Sequence, residues 1–228
     1  MAYGVSCRSF LRFIMRIPVA VCSAIVHVAE LPLTIVSGIS HLRMKNVDIK
    51  LLWLLLVPGM LGAVLGSYLV SYSNDTIELI VDAYLVLMGV KILMQAFGYK
   101  LFANAKLPSW AKGVIALTGG FFDAFGGGGW GPIVTSSLIG NDGKPHLIVG
   151  TVNLAEFYIT AVQVLFFGLV LTSLSDYWMH IVAIIIGGIV AAPIAAKLCS
   201  RLSQKNLLLF VGIVIILVNV YGLINLLR

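Results

Sequence analysis

Charge is what this chain has least of. Only 11% of its 228 residues are Asp, Glu, Lys or Arg, and nine of them are acidic; a soluble domain carries about 25%. An ordinary soluble enzyme or binding module is thereby excluded. Cysteine is equally thin. Cys7, Cys22 and Cys199 are scattered, odd in number and never arranged Cys-x-x-Cys. Free thiols in apolar helices are expected, with no disulfide framework and no metal site. Catalytic patterns are missing too. There is no Ser-His-Asp order, no His-Glu-x-x-His and no paired acidic site suited to hydrolysis, so the chain does not read as an enzyme. No aromatic-interleaved basic patch or zinc-finger spacing occurs, so the net charge of +6 does not point to nucleic acid. No cofactor is implied.

What is abundant is apolar surface. The chain is 60% hydrophobic, with a mean hydropathy of +1.05. That is more than a soluble core of this length absorbs, and it implies an integral membrane protein. Six runs are long enough to span a bilayer: 18–40, 52–71, 77–97, 147–171, 179–198 and 206–226. Two further apolar stretches are broken. One is 2–15. The other, 111–139, is interrupted by Gly126 to Gly129 and then Trp130-Gly131-Pro132, a sequence that cannot continue an α-helix without heavy cost. Two half-helices with an unwound middle are expected there. Arg8, Arg12 and Arg16 before an apolar stretch imitate a signal peptide. The stretch runs on through Glu30 and matches an internal segment, so no cleavage is expected.

Loop charges fix an expected topology. Arg43, Lys45 and Lys50 mark an inside loop, as do Lys100, Lys106 and Lys112, then Lys144, then Lys197, Arg201 and Lys205. Loops 71–76 and 172–176 have no Lys or Arg and read as outside. Stretch 111–139 must then enter and leave on one face, as a re-entrant hairpin. A hairpin plus three spans makes an odd number of crossings, so a copy of this unit must be inverted. The expected fold is therefore all-α and integral to the membrane. It has two inverted-topology repeats, each a broken re-entrant hairpin plus three transmembrane helices. The first hairpin has no half-helix equivalent to 111–124, and the expectation is either a truncated hairpin or a recorded start downstream of the true one. Repeat one is 1–98, the linker 99–110 and repeat two 111–228, all within one transmembrane domain. Gly59, Gly62, Ala63 and Gly66 correspond to Gly188, Ala191, Ala192 and Ala195, and small residues at this spacing let helices pack closely in lipid. Arg8, Arg12 and Arg16 fall on the outward half, against the charge rule, which terminal segments escape.

A second repeat marks the working residues. Val26-x-x-Ala29-Glu30-x-x-x-Thr34 recurs 126 residues later as Val152-x-x-Ala155-Glu156-x-x-x-Thr160. A carboxylate in an apolar run is expensive and marks a functional site by default. Glu30 and Glu156 fit two roles: carriers of a coupling proton, or hydrogen-bonded props for unwound backbone. His27 and Asn153 stand three residues before each Glu, on the same helical face, and His27 fits two roles, sharing that proton or, more commonly for a lone His, serving as a structural hydrogen-bonder. Gly127, Gly128, Gly129, Trp130, Gly131, Pro132, Thr135 and Ser136 suit an anion. Glycines expose backbone N–H groups, a helix beginning near Pro132 points its positive end at the break, and the hydroxyls add donors. The competing reading is a glycine run that merely lets helices cross. A phosphate loop is excluded because no Gly-Lys-Ser/Thr ending follows. Asp123, just before the break, is placed to cap or counter-charge the hairpin.

These residues resemble the sulfite exporter TauE/SafE family, also called the four-TMS toluene sulfonate uptake permeases. The second half carries Gly128-Gly129-Trp130-Gly131-Pro132, Thr135-Ser136 and Gly150-Thr151-Val152-Asn153-Leu154-Ala155-Glu156. The first half carries Tyr3-Gly4-Val5, Ser23-Ala24-x-Val26-His27-x-Ala29-Glu30 and Ser37-Gly38-x-Ser40-His41. The resemblance covers nearly the whole chain and adds Tyr3 and Gly4 to the expected anion site. It implies a plasma-membrane secondary transporter for a small sulfur oxyanion or sulfonate, such as sulfite, thiosulfate or an organosulfonate, driven by an ion gradient. A proton is the expected coupling ion, and membrane lipid is the other expected partner. An anion channel and a non-transporting membrane assembly partner are the alternatives. Where the family is Ser/Thr-rich, after Tyr-Gly-Val, this chain has Cys7 and Arg8.

Overall fold

A computed structural model describes residues 3–72, 75–99, 107–139, 144–199 and 204–226. Those residues are helical or in turns, with no strand among them. The elements are α1 (Tyr3–Phe13), α2 (Val19–Arg43), α3 (Ile49–Ser71), α4 (Asp75–Ala96), α5 (Ser109–Gly126), a π-helical turn Gly131–Thr135 running into α6 (Ser136–Leu138), α7 (Pro145–Val170), a 3-10 turn Thr172–Tyr177, α8 (Trp178–Cys199) and α9 (Gln204–Leu226). Each of the six apolar runs is one helix. Among the described residues five helices are long and apolar enough to cross a membrane, and α9 contributes the shorter apolar stretch Leu208–Tyr221.

Local chemistry sets the ends. Proline opens α7 at Pro145, where its missing N–H costs nothing. The Asp48 carboxylate caps α3 by accepting from the N–H groups of Lys50 and Leu51. Pro32 lies inside α2, two residues past Glu30, and deprives the Val28 carbonyl of its helical donor beside that carboxyl. The second copy has Tyr158 at the equivalent place, so the two carboxyls sit on unequal backbones.

Small residues bring the helices together. α3 lies along α5 so closely that a Cβ on Gly62 would collide with the Leu117 carbonyl oxygen. One on Gly66 would meet the Phe121 carbonyl, and one on Gly120 the Gly59 carbonyl. The opposite face of α3 carries Val57, Leu61 and Leu65, all more than half exposed. With no apolar neighbour inside the protein, that face is a lipid surface. α4 crosses α9 at Gly89 and Gly212, α2 packs on α7, and α3 also packs on α7. α8 packs chiefly on α2. Its small-residue stripe is not used as that of α3 is: Gly188 is half-buried, Ala191 is exposed, and nothing lies within 4 Å of a Cβ on Gly187. The side chains of Ala192 and Ala195 are outside the described residues. Trp53, Trp110 and Trp178 stand exposed at helix ends, as an interfacial aromatic belt requires.

Candidate functional site

The glycine run breaks the helix as its composition demands. α5 ends with Gly127 in the left-handed region at φ +65°, and Gly128 follows at φ +150°. Both conformations favour glycine. The N–H groups of Gly127 and Gly128 turn back to the Asp123 carbonyl. The chain then reverses. A Cβ on Gly119 would press on Val134 and on the Trp130 ring, so the π-helical turn folds back along α5. A π turn widens the helix and leaves its end irregular, a feature frequent at functional sites.

Asp123 clasps this hairpin. The residue is 2% exposed. Oδ1 accepts the Trp130 backbone N–H at 2.8 Å, so the positive end of the returning helix is capped by a carboxylate of the same hairpin. Oδ2 accepts from the Gln163 amide of α7 at 3.0 Å and lies 3.3 Å from His27 Nε2 of α2. One carboxyl thus joins both arms of the hairpin to α2 and α7. The imidazole is placed by its other nitrogen. His27 Nδ1 lies 2.7 Å from the Ser23 carbonyl oxygen, which only accepts, so hydrogen-bond geometry puts a proton on Nδ1. Nε2 then faces Asp123 Oδ2 at a distance where a proton can be held between the two. The Ser23 hydroxyl donates to the Ala124 carbonyl and fixes α2 against the end of α5.

The first-half residues meet the same break. A Cβ on Gly4 would collide with the Gly127 carbonyl oxygen and stand 2.8 Å from Glu30 Oε1. A Cβ on Gly128 would press on Gly4 and Val5. Gly4, Glu30, Gly127 and Gly128 therefore converge. Glu30 and Glu156 are each half-buried. Both lie within electrostatic reach of Asp123, and Glu30 within reach of Glu156. Gly129 packs against the backbone at Phe122 and Asp123. Trp130 is completely buried, and its indole N–H donates to the Val152 carbonyl of α7 at 3.0 Å. Gly131 and Pro132 form the π turn. The side chains of Pro132 and Tyr3 lie outside the described residues. Thr135 is buried and Ser136 half-buried on the returning helix. Asn153 lies elsewhere. It accepts from Ser37 at 3.3 Å and donates to the Val149 carbonyl, and Ser37 is about 15 Å along α2 from His27. Thr34 bonds back to the Leu31 carbonyl, whereas the buried Thr160 hydroxyl has no partner among the described residues.

Two participants are invisible to motif reading. Gln163 is an ordinary polar residue in an apolar helix until Asp123 is seen opposite it. Asp82, in α4, is a carboxylate in an apolar run, four residues after Glu78. The cost argument that singles out Glu30 applies to it equally. It meets Arg8 of α1, Nη1 to Oδ1 at 3.2 Å, with both side chains wholly buried. Arg8 therefore faces inward and is not a loop charge, which removes its conflict with the charge rule.

Comparison with known proteins agrees with this architecture. The family described as sulfite exporter TauE/SafE matches residues 1–222. The chain is 39% identical, over 231 aligned residues, to the probable membrane transporter protein YtnM of Bacillus subtilis (strain 168). That alignment covers 99% of this chain and 77% of the relative. No solved structure matches the chain significantly. Broken backbone, apolar helices and sequence agree: this chain is a multi-pass integral membrane protein and belongs to the sulfite exporter TauE/SafE family.

Proposed function

We propose that the chain is a proton-coupled secondary transporter that moves a small sulfur-containing anion, such as sulfite, thiosulfate or an organosulfonate, across the plasma membrane. The observation that carries this reading is the convergence of His27, Asp123, Glu30 and Gly4 on a broken hairpin between apolar helices. Irregular backbone at membrane depth is tolerated only against protein or a cavity. Titratable groups there mark ion pathways and proton relays. The proton shared by His27 and Asp123, with Glu30 and Glu156 nearby, is the coupling element. Anion passes the face of the break shared by residues 127–136 and Gly4. Family membership supports the sulfur-anion class.

The same reading takes residues 1–98 and 111–228 as inverted repeats around this site, which is common secondary-transporter architecture. Helix pairing supports it. α2 packs on α7 and α4 on α9, each the copy of its partner. The packing of α7 on α3 has its counterpart in α2 on α8. The polar cross-links support it as well. Asp123 bridges His27 to Gln163, while Ser37 meets Asn153. The 126-residue offset of the Ala-Glu repeat exchanges these two pairs. Topology is checked by impermeant thiol labelling of Tyr72→Cys and Lys205→Cys in a chain otherwise free of cysteine. Tyr72→Cys should label from outside and Lys205→Cys only after permeabilisation. Labelling of both from one face would refute the inverted arrangement.

Function is tested by flux in proteoliposomes with sulfite, thiosulfate, sulfate and taurine at set pH gradients. At least one sulfur anion should accumulate against its own gradient, and a protonophore should collapse the accumulation. Movement that only equilibrates the anion, whatever the pH gradient, would mean a channel. Well-folded protein that moves none of the four would mean an assembly partner.

A further inference from the structure

The Arg8–Asp82 pair lies beside the break but outside the clasp described above. Gly127 has its α-carbon so close to Arg8 that an added Cβ would sit 3.0 Å from Arg8 Cβ and 3.3 Å from Cγ. The arginine stem therefore lies against the break itself. The guanidinium is 0% exposed, yet among the described residues only Nη1 has a partner, Asp82 Oδ1. Nε and Nη2 are buried without hydrogen bonds to the described residues, as is Asp82 Oδ2. Nearly all buried polar groups are paired, and an unpaired buried donor is costly enough to need a reason. Here the two idle donors are adjacent. They form the side edge of the guanidinium, a planar fork that matches two oxygens of one anion. Arg12, one turn further along α1, also acts electrostatically on Asp82. Close by, Asn219 of α9 is buried with its amide on Ser9 Oγ at 3.2 Å and its carbonyl oxygen without a partner among the described residues.

The geometry points to Arg8 as an anion-binding residue within the membrane, its Nε–Nη2 edge taking two oxygens of a sulfur oxyanion or sulfonate while Asp82 acts as resident counter-ion. This rests on the anion-transport reading and names what holds the charge. The returning helix cannot supply that charge alone, because Asp123 already occupies its N-terminal end. Asp82 keeps the guanidinium from being a buried bare cation when the site is empty. It also competes with the anion, which keeps binding weak enough for release.

The test is equilibrium binding of sulfite, methanesulfonate and chloride to the purified protein in detergent, read as anion-induced thermal stabilisation, beside flux in proteoliposomes. Arg8→Lys keeps a cation for Asp82 and removes the fork. It should bind sulfite and methanesulfonate roughly tenfold more weakly or worse, with an unchanged unfolding temperature in anion-free buffer. Asp82→Asn should bind both anions several-fold more tightly. Chloride, which cannot use a two-oxygen fork, should bind weakly to all three forms. Sulfite binding by Arg8→Lys at wild-type affinity, or no binding of either sulfur anion by the wild type, would overturn the assignment. Should Arg8→Lys fail to fold, unchanged affinity in Asp82→Asn does the same. Intact binding with no flux leaves the Arg8 site standing and removes the transport reading instead.

Discussion

Asp123→Ala should abolish transport and destabilise the folded chain by about 3–5 kcal/mol, the usual cost of removing one partner from a buried charged cluster. The side chain is buried and holds three groups: the Trp130 N–H, the Gln163 amide and His27 Nε2. Alanine leaves all three buried without this partner, and each unsatisfied group costs on the order of 1–3 kcal/mol. The hairpin also loses the tie between its arms. Asp123→Asn separates the two roles. Its amide oxygen still accepts from Trp130, so most of the hairpin should survive. Its NH2 group now faces the Gln163 amide donor and cannot share a proton with His27 as a carboxyl does. The expected result is an unfolding temperature well above that of Asp123→Ala, with flux still lost. Thermal unfolding in detergent and proteoliposome flux measure the two separately. Wild-type flux in Asp123→Asn would remove Asp123 from the proton path. Wild-type stability in Asp123→Ala would show that the clasp holds nothing.

The second large effect is expected at Gly62→Leu, which should yield little or no folded protein. A Cβ there collides with the Leu117 carbonyl oxygen and stands 2.9 Å and 3.0 Å from the Leu117 carbonyl carbon and the Phe121 nitrogen. These are backbone atoms of a packed helix, so no rotamer change relieves the overlap. Overpacking commonly costs about 1–3 kcal/mol even where side chains can adjust. Gly187→Ala is the matched control. Nothing lies within 4 Å of its Cβ, and replacing a mid-helix glycine by alanine gains about 0.5–1 kcal/mol. Size-exclusion chromatography of the solubilised variants reads both. A normal monodisperse peak for Gly62→Leu would falsify the backbone-to-backbone packing of α3 on α5.

The helices were legible in the sequence because a span needs about 20 apolar residues and loops here are short. The break was legible because four glycines and a Gly-Pro pair have no helical alternative. Glu30 was legible because burying a carboxylate is costly, and Gly4 because the family pattern includes it. Tertiary pairing was not legible. Asp82 and Arg8 are 74 residues apart and share no motif; each looks anomalous alone, and only the packing of α1 and α4 resolves both. Trp130 and the N–H groups of the break read as free to meet an anion, because a sequence does not tell which donors the protein itself will occupy. In the fold the indole N–H is taken by Val152 and the Trp130 backbone N–H by Asp123. The same limit applies to α8. Its small-residue stripe matches that of α3 residue for residue, but spacing does not say whether a helix lies against it.

The contact between α3 and α5 also bears on mechanics. Where side chains interdigitate, one helix can slide past another by changing rotamers. Where carbonyl oxygens rest against glycine α-carbons, as at Gly62, Gly66 and Gly120, no soft layer remains to shear. α3 and the first arm of the hairpin are then a single rigid strut. Any rocking that opens the break to one side of the membrane and then the other must carry both together, with its hinge at a softer joint. Gly127 and Gly128, and the proline-loosened turn of α2 beside Glu30, are such joints, and they adjoin the groups that carry charge.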